Sequence, residues 1–188
     1  AAWGARLDAE RENILLAFDR ARIAPGGGTA GLAMVCGFNQ WFGWGLVETW
    51  NPVVLETLAH PDAQRETVAR CRALYVGAQV TYLTGRHDES IALAKSSVRI
   101  ARACGDPHVL AEALFRLGYV TIAVDSGADV REHFVEGLAL ARQASASALI
   151  ALHSSGLGEL CSQQGQLELA ETHFLEALRA NPGEPPGD

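Results

Sequence analysis

Lysine is almost missing from this chain: of 15 basic residues only Lys95 is lysine, and acids outnumber bases by 22 to 15. Duplex binding draws its affinity from Lys and Arg neutralising phosphates, so a net charge of −7 speaks against nucleic acid as the direct partner. Cysteine is sparse as well. Cys36, Cys71, Cys104 and Cys161 lie 35, 33 and 57 residues apart, too far for a CxxC metal or redox pair. They are expected to be reduced, buried and intracellular. No basic segment leads into an apolar one near the start, so no secretory signal is visible, and a cytoplasmic location is expected. The opening Ala-Ala-Trp-Gly, without an initiator Met, reads as a piece of a longer polypeptide. A charge-free run of 25 residues separates Arg22 from Glu48, but Pro25-Gly26-Gly27-Gly28 and Asn39-Gln40 interrupt it. A spanning helix needs roughly 18 or more consecutive apolar residues, so a buried helix and no membrane partner are expected.

What is present is alanine and leucine in abundance, with no alternating β-branched runs, which favours an all-α chain. Cut at residues 31, 71, 111 and 151, the sequence aligns with itself without gaps in four segments. One column reads Gly45, Gly85, Asp125, Gly165, residues that tolerate left-handed or turn geometry at a helix end. Thirteen residues on, an apolar column reads Leu58, Val98, Leu138, Leu178. Met34, Leu74 and Leu114 form another, from which Ser154 departs. Gly77, Ala78, Gly118 and Gly158 are small where two helices have to approach closely.

The pattern predicts a leading helix over 6–24, a Gly-rich loop at 25–28, and four helix pairs. These are 29–44 with 46–59, 63–84 with 87–104, 107–125 with 128–144, and 147–164 with 167–180. Asp106-Pro107 is a cap followed by Pro in the first helical position. The domain is expected over 1–182, with repeats 31–70, 71–110, 111–150 and 151–182, and a disordered tail at 183–188. Each pair alone exposes an apolar stripe that stacking buries, so the expected architecture is a right-handed solenoid of about nine helices with a concave face.

The last segment carries Leu157-Gly158, Gly165, Ala170, Phe174, Ala177-Leu178 and Pro182, which resembles the tetratricopeptide (TPR) signature. The third keeps Leu117-Gly118, Phe134 and Leu138, with Val130 and Gly137 at the two Ala columns; the second departs most, with Ser90, Ala94 and Ser97. Leu7-Asp8-Ala9-Glu10-Arg11-Glu12-Asn13-Ile14 and Trp41-Phe42-Gly43-Trp44-Gly45 resemble the start of the TPR region in bacterial STAND-type transcriptional regulators of the LuxR and AfsR/SARP kinds. The resemblance implies a TPR-like fold over residues 6–182 that senses an inducer or partner and helps control self-association. The nucleotide-binding portion of such regulators is absent, because no GxxxxGK[ST] occurs here.

Chemical constellations are few. Gly26-Gly27-Gly28-Thr29 has no phosphate-reaching Lys and follows a helix, so it reads as an interhelix loop. His133 with Glu136, and His173 with Glu176, have metal-ligand spacing, but both sit in one repeat column and so follow from duplication. His153, Ser154, Ser155 and Cys161 lack a base-orienting acid or an oxyanion partner. No catalytic residue, metal or cofactor is expected, and the chain is not expected to be an enzyme. Phe38, Trp41, Phe42, Trp44 and Trp50 read as core packing that seals the N-terminal end of the stack, with an aromatic ligand box or a docking face for an upstream domain as the functional alternative.

Helical spacing places Asn39, Phe42, Arg72, Tyr75, Gln79, Tyr82, Glu112, Phe115, Tyr119, Ile122, Ser155, Glu159 and Ser162 on the inner face of the first helices. All three tyrosines fall there, and tyrosine joins a large contact area to a polar tip. The expected function is a non-catalytic interaction or sensing module that binds a peptide, a protein segment or a small inducer on this face. The alternative is an oligomerising scaffold in which end repeats pair two copies; whether the aromatics bind or fill space is open at this level.

Overall fold

A computed structural model describes residues 2–37, 47–125 and 128–181. Among these there are nine α-helices, one 3-10 turn and no strand. The helices are α1 Ala2–Ile23, α2 Gly27–Gly37, α3 Val47–Ala59, α4 Val68–Leu83, α5 His87–Cys104, α6 Pro107–Val124, α7 Arg131–Gln143, α8 Ser147–Gln163 and α9 Leu167–Ala180, with the 3-10 turn at Pro61–Ala63. Each helix packs on the next, and α2, α4, α6 and α8 also pack in series, α2 on α4, α4 on α6 and α6 on α8. No described helix is long and apolar enough to cross a membrane.

Two kinds of contact recur forty residues apart. A methyl added to Gly118 would come within 2.9 Å of the Phe134 ring, and one added to Gly158 within 2.7 Å of Phe174. Both glycines let the first helix of a pair lie against an aromatic ring of the second. Arg102 donates to Glu136 at 2.7 Å, joining α5 to α7, and Arg142 donates to Glu176, joining α7 to α9. These exposed pairs stabilise little, about 0–1 kcal/mol each. The apolar column contributes far more. Leu58, Val98 and Leu138 are 6%, 9% and 6% exposed, and truncating such a residue costs about 2–5 kcal/mol.

Between α4 and α5 two buried serines take part in the packing. Ser90 Oγ donates to the Ala78 carbonyl at 2.6 Å, and Ser97 Oγ to the Cys71 carbonyl at 2.9 Å, so neither buried hydroxyl is left unsatisfied. Gly85 and Gly165 close α4 and α8 at φ +76° and +73°, a geometry that strains any residue with a Cβ. Asp106 Oδ1 accepts from the amides of His108 and Val109, capping α6 ahead of Pro107.

Several boundaries differ from the sequence reading. Gly27 and Gly28 belong to the first turn of α2, not to a loop; both are buried, and a Cβ on Gly27 would overlap the Ala21 carbonyl. α4 begins at Val68, not near 63, because Pro61 starts a 3-10 turn and Thr67 then caps the helix, its Oγ1 accepting from Arg70 N. The ends of α3 and of that turn are satisfied by side chains: Arg70 donates to the Leu58 and Ala63 carbonyls at 3.0 and 2.6 Å. Asp125 ends α6 in extended geometry, φ −133°, where its column suggested a left-handed turn. Cys71 and Cys161 are buried as expected, but Cys36 is half-buried and Cys104 exposed; all four are free thiols. Of the aromatic cluster, Trp50 is buried, 6.2 Å edge-to-face from Phe18, while Phe38, Trp41, Phe42 and Trp44 lie outside the described residues, as do Asn39, Gly45 and the tail at 183–188.

Candidate ligand groove

Residues of α4, α6 and α8 bound two clefts that share Leu152. The first, about 410 Å³, is lined by Cys36, Arg72, Tyr75, Val76, Glu112, Leu149 and Leu152. The second, about 510 Å³, lies between α6 and α8 and reaches Phe134 and Phe174. Phe115, Tyr119, Ile122, Leu152, Ser155 and Glu159 form much of its wall.

Among the residues the spacing selected, Arg72, Tyr75 and Glu112 line the first cleft, and Phe115, Tyr119, Ile122, Ser155 and Glu159 the second. Gln79 and Tyr82 stand beside them through Arg116 and Tyr119. Ser162 is exposed on α8 and is not in either wall; Asn39 and Phe42 lie outside the described residues. Tyr119 is 44% exposed, whereas Phe115 is only 9% exposed and acts chiefly as the floor. Tyr82 meets Tyr119 edge-on at 6.1 Å, Tyr119 meets Phe115 at 5.9 Å, and Phe115 meets Phe134 at 6.4 Å, so an aromatic row runs from α4 to α7.

Arg72, Glu112 and Glu159 are already engaged. Arg72 Nε donates to Glu112 Oε2 at 2.8 Å, which raises the arginine's pKa further, and His108 Nε2 lies 3.5 Å from the other carboxylate oxygen. Burial pushes the Cys36 thiol up to about 11, with smaller opposing influence from Arg72, so it is not a thiolate near neutrality. Glu159 accepts from Gln163 at 3.0 Å. Glu136 and Glu176, noted for their spacing to His133 and His173, are held instead by Arg102 and Arg142, and the hydrogen bond from Arg142 keeps the Glu176 carboxyl below its usual range. Among the described residues no group of three or more His, Cys, Asp or Glu could hold a metal.

Two residues under the groove were not placed there by the sequence reading, which considered His153 only for catalysis and did not single out Arg116. His153 is fully buried; its Nε2–H donates to the Ala111 carbonyl at 3.0 Å, which assigns the neutral tautomer. Its ring stands edge-on to Phe115 at 5.7 Å and to Phe134 at 6.2 Å, and burial lowers its pKa to about 4. Arg116 is 6% exposed, its guanidinium 4.2 Å above the Tyr75 ring and 5.9 Å from that of Tyr119. Arg116 was legible: it lies four residues after Glu112 and three before Tyr119, on the same helical stripe. Leu152, three before Ser155, was legible in the same way. His153 gave no such signal, because a buried histidine differs from an exposed one only in its surroundings. No protein-family model and no curated protein matches this chain.

Proposed function

We propose that the chain is a non-catalytic recognition module, a TPR-like right-handed helical solenoid that serves a larger bacterial signalling or transcriptional regulator. It binds a peptide, a protein segment or a small inducer in the groove of α4, α6 and α8. The observation that carries this reading is the adjoining pair of clefts at Leu152, walled by side chains from successive first helices. Clefts of about 300–1,000 Å³ with apolar walls and a few convergent polar groups are the usual form of ligand sites. The repeated ion pairs and glycine–phenylalanine contacts support the solenoid, since they recur at the period of the sequence repeat.

A fragment screen read by two-dimensional NMR tests the groove. Hits are expected to shift amides of Tyr75, Tyr119 and Leu152 together. Hits that bind only elsewhere overturn the assignment.

A second reading, the oligomerising scaffold, is favoured by one feature. Leu178 shares its column with Leu58, Val98 and Leu138 yet is 62% exposed, and Leu167 and Leu175 beside it are 64% and 43% exposed. An apolar face of this kind commonly marks an interface. Sedimentation velocity over a wide concentration range decides it. A mass that stays monomeric removes this alternative.

A further inference from the structure

Among the described residues the wall of the second cleft holds one charged side chain, that of Glu159, and no lysine, arginine or histidine. Glu159 is exposed on α8, one turn beyond Ser155 and two beyond Leu152, so the three share a stripe. Gln163 Nε2 donates to its Oε1 at 3.0 Å, and among the described residues its Oε2 has no protein partner. Glu112, Glu136 and Glu176 differ, each held by an arginine. Aromatic rings make up much of the same cleft. Phe115 and Phe134 lie buried at its floor, and Tyr119 and Phe174 stand half-exposed in its wall. The faces of such rings are negative and attract cations. His153, packed against Phe115 and Phe134, is neutral at neutral pH because burial lowers its pKa to about 4, so it brings no opposing charge.

The chain itself shows what a ring in this position accepts. Between α4 and α6 the Arg116 guanidinium lies 4.2 Å over the Tyr75 ring and donates to Gln79. That arginine lines neither cleft, and its guanidinium is 5.9 Å from the Tyr119 ring. Forty residues on in the sequence, Tyr75 corresponds to Phe115, Ala94 to Phe134 and Arg116 to Gly156. Between α6 and α8 the arginine's counterpart therefore has no side chain, and a methyl there would come within 2.5 Å of the Phe134 ring. Phe115 keeps the aromatic ring and Glu159 adds an anion, but none of the described residues brings a cation to that wall.

We propose that the second cleft binds a small organic cation, an ammonium or guanidinium head on an apolar body. The head sits between the Glu159 carboxylate and the Tyr119 ring, and the body rests against Phe115, Leu152 and Phe174. This rests on the groove reading above and names the chemistry of its ligand. At about 510 Å³ the cleft is of small-molecule size, which favours a free amine over a long peptide. Glu159 Oε2 is the acceptor left for the ligand, since Gln163 already occupies Oε1. A charge-assisted hydrogen bond at that oxygen and a cation–π contact at the ring act on the same head group. The net charge of −7 draws a cation toward the chain as a whole.

Phenethylamine, protonated at neutral pH, is the probe, with phenethyl alcohol and phenylacetate as its neutral and anionic counterparts. Each is titrated at low ionic strength into isotope-labelled protein and followed by the backbone amides of α6 and α8. The amine is expected to bind about fivefold or more tightly than the alcohol, the combined effect of an exposed ion pair and a cation–π contact. Phenylacetate is expected to bind more weakly than either. Glu159→Gln alters an exposed position and keeps the aromatic wall, so it is expected to remove most of the preference for the amine while the alcohol binds as before. A preference unchanged in that variant refutes the role of the carboxylate. Equal binding of amine and alcohol in the cleft, or tighter binding of phenylacetate, refutes the cation site and leaves the groove standing. Tighter binding of a capped Lys-Phe-Lys peptide than of the amine overturns the assignment to a free small ligand. Binding of none of the probes, or binding only elsewhere, refutes both the cation site and the groove.

Discussion

His153 makes the stability of the chain depend on pH in a way that can be worked out in advance. Its ring is enclosed by Phe115 and Phe134, and its one hydrogen bond, to the Ala111 carbonyl, uses the proton of the neutral form. Charging the ring would place a cation in an apolar pocket, which lowers the pKa from 6.5 to about 4. The unfolded chain therefore binds the proton more readily than the folded one between those two values. This contribution is fully present above pH 6.5, shrinks as pH falls toward 4, and changes no further below that. The whole shift corresponds to about 3 kcal/mol at ~1.36 kcal/mol per pH unit, of which about 2 kcal/mol is lost between pH ~7.5 and ~5.

His153→Gln isolates it, since glutamine can donate to Ala111 but does not titrate. The other five histidines are common to both proteins and cancel in the comparison. Urea melts at the two pH values are the assay, with the slope held as a check on the unfolded state. The variant is expected to be less stable at pH ~7.5, but its loss on acidification should be smaller by about 2 kcal/mol. Equal losses in the two proteins would show that His153 is not the buried neutral ring described here.

Repeat position and burial make further outcomes definite. Leu138→Asp places a charge in a site 6% exposed and should unfold the chain or lower its stability by more than about 4 kcal/mol, while Leu178→Asp, at the same place in its repeat but 62% exposed, should change it by about 0.5 kcal/mol or less; thermal melts of the pair check this. Phe115→Ala should cost about 3–5 kcal/mol, against less than about 1 kcal/mol for Tyr119→Ala, because the first residue is the floor of the groove and the second its exposed wall. Paired urea midpoints separate the two roles. Gly137→Ala should destabilise by about 1–3 kcal/mol, since a methyl there overlaps the His153 ring, and the loss should be smaller when His153 is replaced by the slimmer Ser.

The helical character and the placing of several cleft residues on shared helix stripes were legible in the sequence, because both depend on residues a few positions apart along one helix. Arg72, Tyr75, Glu112, Phe115 and Tyr119 line the clefts for that reason: the spacing of the α-helix places them together. Asp106-Pro107 was likewise a local signal with a local outcome. Burial and pairing were not local. Leu138 and Leu178 are the same residue in the same column, and only the presence of α8 over one of them makes their environments differ. The start of α4 depends on the 3-10 turn at Pro61 and on Arg70 reaching back across it to carbonyls of Leu58 and Ala63. Gly27 is helical because α2 has to pass the end of α1 without a side chain between them. The charge state of His153 belongs to the same class. Histidine as a residue type does not imply a buried neutral imidazole; that follows from which helices close over the ring.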